Sequence, residues 1–270
     1  MSGASTAASP SHRRRSLLDR VLSLVNPVAL RSFAPPLRQV GDDLWVVDRK
    51  LAFSGGLAMP IRMTVVRLPA GGLVLYSPIA LDAEVATALR SLGSVEAILA
   101  PSCFHYLFAA EYVSTFNGAR LFAAPGLPQR VPSLPAATLL TDEPPPLWRG
   151  VIDQVVFGPI GGLSEVVMFH RPSRTLLLMD LAFNLHSFDG GYNRVAWRLS
   201  GIPARFGPSR TARLTFLRDR SVAPFLARIL AYDFARIIVA HGEIVESGAQ
   251  AEFRRAFAPY LSGDTAHPPA

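Results

Sequence analysis

The sequence predicts an α/β protein of the four-layer αββα sandwich class: two mixed sheets packed face to face, with helices on the outer faces. Three observations carry this reading. From about residue 43 onward the chain is cut into short apolar runs of strand length. Hairpin patterns lie on both sides of a strand–helix–strand unit, so each sheet should mix antiparallel with parallel pairing. Half of the 270 residues are hydrophobic and only 17% are charged, enough apolar surface for a large core and too little charge for a disordered chain.

Residues 1–36 read as a basic tail and short helix. Arg13-Arg14-Arg15 ends a small, polar opening, and Ser16 is placed to cap a helix over 17–25. The absence of acids before Asp19 gives this opening some likeness to a transit peptide, and a basic bacterial tail fits equally. The main domain is expected over 37–262, with a disordered tail at 263–270. Residues 44–48 form a strand. Residues 63–68 and 73–76 form a hairpin about Pro69-Ala-Gly-Gly72. Residues 82–92 have helical spacing, with Val85, Leu89 and Leu92 on one side and Gly93 as the stop. The run 95–100 is then a strand parallel to its predecessor, reached by a right-handed crossover.

A helix is expected at 107–116, followed by a long Pro-rich connection at 125–150. Strands at 151–156, 165–169 and 175–179 follow, the last two joined by Arg171-Pro-Ser-Arg174. Residues 183–221 read as irregular and basic. A helix at 222–232, a strand at 237–240 and an amphipathic helix at 246–261, broken at Pro259, close the domain.

Composition narrows the classes of function. The net charge is +7 and, apart from Lys50, every positive charge is arginine, which codon composition alone explains or which suits an anionic partner. Eight of these arginines and a single acid, Asp219, fall between Arg194 and Arg228, an expected anion-facing surface or a site of peripheral membrane contact. No helix-turn-helix, zinc finger or aromatic-basic interleaving is present, so nucleic acid is not an expected partner. No apolar run is long enough for a transmembrane helix. A single cysteine, Cys103, excludes an intramolecular disulfide and a Cys-rich zinc site, and it fits a reducing compartment such as the cytoplasm.

Three apolar runs each deliver a polar residue to a strand end. Residues 95–100 lead to His105, 174–179 lead to Asp180, and 236–240 lead to His241. Strand ends hold side chains on a rigid frame while loops present them. Two imidazoles and a carboxylate are a sensible ligand set for one divalent metal, zinc first, with an open position. A turn centred on Pro172-Ser173 pairs Thr175 with His170, and counting outward sets Asp180 opposite Glu165, roughly 5 Å away on the same face. Glu165 is therefore a candidate fourth ligand, or a catalytic base. The same count leaves His170 at the far end of the hairpin, away from the site.

The order of elements resembles the metallo-β-lactamase superfamily. Ala100-Pro-Ser-Cys-Phe-His105 occupies the place of its first metal motif, His-x-His-x-Asp-His, and only His105 matches. Ala100 and Ser102 stand at the other two His positions, and Phe104 at the Asp position. Asp180 in Leu176-Leu-Leu-Met-Asp180 resembles the later ligand Asp, and His241 in Ala240-His-Gly242 the final His. The superfamily's middle His is missing near Pro159 and Ile160. The phrases Asp43-Leu-Trp-Val-Val47, Tyr76-Ser-Pro78 and Glu165-Val-Val-Met-Phe-His170 resemble an uncharacterised, degenerate branch, a domain of unknown function. The resemblance implies that one metal's ligands survive in part, as His105, Asp180 and His241. It implies a reduced, at most single-metal site acting on a small anionic ester, thioester or phosphoester, or else a binding or scaffold protein that has lost its metal.

Overall fold

The computed structural model describes residues 29–30, 36–53, 56–186, 190–199, 201–202, 205–219 and 221–261. The helix expected at 17–25 and the tail at 263–270 lie outside them. The larger sheet holds β1 (Ala29–Leu30), β2 (Arg38–Gly41), β3 (Leu44–Ala52), β4 (Ala58–Arg67), β5 (Leu73–Tyr76), β6 (Val95–Ala100), β7 (Arg120–Ala123) and β8 (Thr138–Leu139). Its order is β1-β3-β4-β5-β6-β7-β8, with β2 on β3. The β3–β4–β5 part is antiparallel and the β5–β6–β7–β8 part parallel. The smaller sheet has the order β12-β11-β10-β9, from β9 (Ile152–Ile160), β10 (Leu163–His170), β11 (Thr175–Leu178) and β12 (Arg236–Val239), with only β11–β12 parallel. Both sheets are mixed, as the sequence predicts.

Three apolar layers follow from the two-residue period of the strands. Met63, Val65 and Leu75 point outward under α1 (Ala83–Leu92) and α2 (Ala109–Thr115), where Val85, Leu89 and Tyr112 meet them. Val66, Val74, Tyr76 and Leu99 point inward, onto Val166, Met168, Leu177 and Ile238 of the smaller sheet. The smaller sheet's other face packs Val167, Leu176 and Ile237 on α6 (Val222–Leu230) and α7 (Ala249–Leu261). The order of layers is helix, sheet, sheet, helix. Asp82 caps α1 by accepting from the Val85 amide at 2.8 Å, and Gly93 ends it.

Two polar groups tie the sheets together near the strand ends. The Tyr76 hydroxyl donates to the Val166 carbonyl at 2.7 Å. The Arg62 guanidinium reaches from β4 to the Val239 carbonyl at 2.8 Å, while it pairs with Asp48.

Besides β1, which falls in the stretch read as tail and short helix, and β2, neither of them expected, the structure departs from the sequence reading in three places. The connection at 125–150 is preceded by β7, which was not expected, and itself contains α3 (Leu127–Arg130) and β8. Residues 183–221, expected to be irregular, contain two helices, α4 (Gly190–Leu199) and α5 (Arg210–Arg218). Arg194, Arg198, Arg210 and Arg218 are exposed, Arg213 is half-buried, and only Asn193 and Trp197 of α4 and Phe216 of α5 are buried, so a narrow inward stripe hides in a basic sequence. Helix α7 runs on through Pro259 to Leu261. That proline sits in the last turns, so the chain ends the helix soon after it and little is lost.

Candidate metal centre

His105, Asp180 and His241 converge. His105 Nε2 lies 3.2 Å from His241 Nε2 and 3.3 Å from an Asp180 oxygen, and the other Asp180 oxygen is 3.4 Å from His241 Nε2. The three side chains are 8–16% exposed, so they are largely withdrawn from water. Among the described residues they are the one group of three or more His, Cys, Asp or Glu placed to hold an ion.

Each residue is delivered by a specific backbone device. His105 follows β6, where Ser102 Oγ accepts from the amides of Phe104 and His105, both at 3.2 Å, and winds the loop. Ser102 Oγ also donates to Asp180 at 3.3 Å. The far nitrogen of His105, Nδ1, meets Ser77 Oγ at 2.8 Å, just past the end of β5. Ser77 has φ +62°, a left-handed conformation that a non-glycine residue adopts only when its surroundings force it. Asp180 follows β11. His241 follows β12, and its Nδ1 lies 2.8 Å from the Pro60 carbonyl. Gly242 must be glycine: its φ is +108°, and a Cβ there would lie 2.1 Å from the Asn184 carbonyl oxygen. That close approach lets Asn184 bind both sides of the turn, donating to the His241 carbonyl at 3.0 Å and accepting from the Glu243 amide at 2.8 Å.

The hydrogen bonds fix a tautomer. A carbonyl only accepts, so His241 Nδ1 carries the proton toward Pro60, and in the neutral ring Nε2 presents its lone pair to the site. A second imidazole nitrogen 3.2 Å away and an ionised carboxylate complete a cluster that calls for a shared proton or a cation at its centre. Burial by itself would raise the Asp180 pKa, but the two imidazoles hold it well below the usual carboxylate range. For a tetrahedral ion with ligands about 2.0–2.1 Å away, neighbouring ligand atoms would be about 3.3–3.4 Å apart. Here the two imidazole nitrogens are 3.2 Å apart, and each lies 3.3–3.4 Å from the Asp180 carboxylate, a different oxygen for each ring. One donor atom from each residue lies within 4.8 Å of the other two, so the set is able to hold a single metal.

Glu165 stands where the strand register sets it. Thr175 pairs with His170 and Leu177 with Met168, the register counted from the turn, so Glu165 comes level with Asp180. Its carboxylate does not line the cavity. One oxygen accepts from the Met179 amide at 2.9 Å and the other from the Leu181 amide at 2.7 Å, clamping the backbone on both sides of Asp180. The side chain is fully buried, and burial followed by the Asp180 charge pushes its pKa up to about 8. The pairing of Ser102 with Glu165 and the bond from the Val166 amide to the Pro101 carbonyl sew β10 to the His105 loop. His170 lies at the far end of the hairpin, bonded to Ser173. His186 bonds Asn184 and stands exposed. Cys103 is buried, and burial pushes its thiol up to about 11, which leaves it inert.

A cavity of about 220 Å³ opens beside His105, Asp180 and His241. Phe104, which holds the position of a ligand Asp in the resembling superfamily, is part of its wall. Helix α4 covers it: Trp197 Nε1 donates to the Ala58 carbonyl at 2.8 Å, and the Ala58 amide donates to Asn193 at 3.0 Å. Sequence reasoning missed Ser77, Ser102, Asn193 and Trp197. The first two carry a faint signal, a lone hydroxyl at an apolar strand end. The other two carry none, because their roles depend on distant β4 backbone.

Residues 41–189 match the family described as a domain of unknown function, DUF4336. None of the curated proteins compared with the chain matches it. Solved structures show the fold. A metallo-β-lactamase from Pontibacter korlensis is 14% identical, with 84% of this chain and 99% of that one covered and a TM-score of 0.57. The metallo-β-lactamase FIM-1 from Pseudomonas aeruginosa, in a mono-zinc form, is 12% identical over 83% and 92%, with a TM-score of 0.56. The metal-soaked Flv1 flavodiiron core from Synechocystis sp. PCC6803 is 14% identical over 83% of this chain and 60% of that one, with a TM-score of 0.55. With two mixed sheets between helical layers, and with more than half its length matched by one family, the chain belongs to the DUF4336 family of unknown function, and its fold is the metallo-β-lactamase fold.

Proposed function

We propose that this protein is a single-metal hydrolase acting on a small ester, thioester or phosphoester, with zinc as the metal. The observation that supports this most is the convergence of His105 Nε2, His241 Nε2 and the Asp180 carboxylate within 3.2–3.4 Å of one another beside a cavity. A divalent metal bound by these three side chains would supply Lewis acidity and make water a competent nucleophile near neutral pH. The chain's own residues do the rest. Pro60 and Ser77 orient the two rings through their far nitrogens. Ser102 donates to Asp180 and holds the loop that carries His105. Glu165 acts from behind, because a role as proton acceptor would oblige it to release the Met179 and Leu181 amides. The expected preference for an anionic substrate gains nothing from the cavity, whose described lining contains no arginine.

The test is metal analysis of protein purified without a metal-binding tag. Wild type is expected to carry about one zinc per chain, and Asp180→Ala and His241→Ala close to none, with hydrolysis of p-nitrophenyl esters following metal content. Equal, near-zero metal in all three proteins overturns the reading. Stoichiometric metal with no hydrolysis supports the binding or scaffold role instead.

A further inference from the structure

The geometry points to a hydrophobic acyl group of about six to eight carbons as the ligand of this cavity, with its carbonyl at the His105–Asp180–His241 end. The class of substrate deepens the hydrolase reading and rests on it; the alkyl site itself does not. The lining divides sharply. Polar side chains gather at one corner, where Ser77, His105, Asp180 and His241 meet. The rest is mostly aliphatic and aromatic and comes from separate segments, among them Phe53 at the β3 end, Met59 and Ile61 of β4, Phe108 after β6, Phe183 after Asp180, and Trp197 of α4. No described lysine or arginine lines it. A wall of this kind gives an anion no partner and offers an alkyl chain burial at every methylene.

Size and rigidity agree. An apolar cavity of about 150 Å³ is enough to bind benzene, so about 220 Å³ takes a somewhat longer group. The walls are fixed by ring packing: Phe53 meets Trp197 edge-on with centroids 5.6 Å apart, and Phe183 stacks on His241 at 5.2 Å and 13°. The Phe183 contact joins the apolar wall to a metal ligand, so a chain lying along it brings its head to the polar corner. In the hydrolysis this supports, a bond forms between the water oxygen and the acyl carbon. The bond from that carbon to the alcohol oxygen or thiol sulfur breaks, the leaving group takes one water proton, and the second goes to solvent.

Two measurements separate this inference from the reading it rests on. In the first, metal-free protein is titrated with 1-octanol and with 1-butanol while tryptophan emission is followed. A saturable change is expected for octanol, half-complete at a concentration at least about 10-fold lower than for butanol, and absent in Trp197→Phe. Ile202→Glu, which sets a charge on a half-buried part of the wall, is expected to weaken octanol binding at least 10-fold, whereas Ile202→Val does not. In the second, zinc-loaded protein is assayed on p-nitrophenyl acetate, hexanoate and octanoate, with kcat/KM expected to rise about 10- to 100-fold from the two-carbon ester to the best longer one. Octanol binding without hydrolysis of any ester upholds the alkyl site and sinks the hydrolase. Hydrolysis that favours acetate, with no saturable octanol signal, overturns the inference and leaves the hydrolase standing. Octanol and butanol signals of equal strength, or an Ile202→Glu protein that behaves as wild type, also overturn it.

Discussion

His170 and His241 are two buried imidazoles at opposite ends of the same four-stranded sheet, and they differ in what their nitrogens meet. His170, at the hairpin end, has Nδ1 on Ser173 Oγ at 2.7 Å, and its Nε2 is buried with no hydrogen-bond partner among the described residues. Burial pushes its pKa down to about 4. His241, at the opposite end, has Nδ1 on a carbonyl and Nε2 on a carboxylate and a second ring. Burial alone makes a histidine neutral and quiet. A backbone acceptor that fixes the tautomer, together with an acid facing the free lone pair, equips one to serve as a ligand. The fold supplies that combination only where the ends of β6, β11 and β12 come together.

The largest expected effect breaks the His241 side of this comparison. Gly242→Ala would drive a Cβ to 2.1 Å from the Asn184 carbonyl oxygen at a φ of +108°. Expected are a loss of about 3 kcal/mol or more in urea unfolding and a large drop in zinc affinity. Gly126→Ala is the control. Gly126 also has a positive φ, +83°, but open space beyond its Cα, so its loss should stay near about 1–2 kcal/mol with zinc affinity unchanged. Equal losses for the two would show that the Asn184 contact does not set the turn.

The next effect belongs to His170 and depends on pH. Its folded pKa is lowered to about 4, against about 6.5 in the unfolded chain. Below pH 6.5 the unfolded state takes up a proton that the folded state refuses. The contribution of this group is therefore intact above about pH 7 and is lost as the pH falls toward 4, with about 2 kcal/mol gone at pH 5. Comparing urea unfolding of wild type and His170→Gln at pH 7.5 and pH 5.0 isolates it from every other titrating group. The variant should lose less stability on acidification by that amount, and parallel behaviour would mean that His170 titrates normally. Zinc affinity should be the same in both proteins.

The contrast between the two histidines also marks what could be read from the chain. The register of the β10–β11 hairpin was legible because Pro172-Ser173 fixes the turn and the two-residue period propagates it, and this alone separates His170 from Glu165 by five residues and sets Glu165 beside Asp180. His105, Asp180 and His241 were legible as strand-end residues after apolar runs. The direction in which Glu165 points was not. Facing Asp180 across a strand pair is compatible with a carboxylate in the cavity or with one folded back onto amides, and the choice rests on the Met179 and Leu181 amides that Glu165 satisfies, which no side-chain pattern reports. Helix α4 was illegible for a related reason. Its burial rests on Asn193 and Trp197 reaching Ala58 of β4, 135 and 139 residues away in sequence, so local polarity dominated the reading.

The smallest expected effect tests the orienting bonds themselves, through Ser77. Its Oγ lies 2.8 Å from His105 Nδ1, and its backbone is held at a φ of +62°. Two opposed consequences follow when the side chain is changed. Losing the hydroxyl frees the His105 ring to turn, which lowers zinc affinity about 10-fold or somewhat more, as for other groups that orient a ligand from behind. Losing the Cβ relieves the left-handed backbone, by about 1 kcal/mol. Ser77→Ala removes only the hydroxyl and should weaken zinc binding and stability together. Ser77→Gly removes both, so it should bind zinc as poorly as the alanine variant and yet unfold at a higher urea concentration than it does. A zinc titration and a urea curve on the two variants separate ring orientation from backbone strain. If zinc affinity is unchanged in both, His105 is held by the Ser102 loop alone, and the likeness to the Pro60 bond on His241 goes no further than distance.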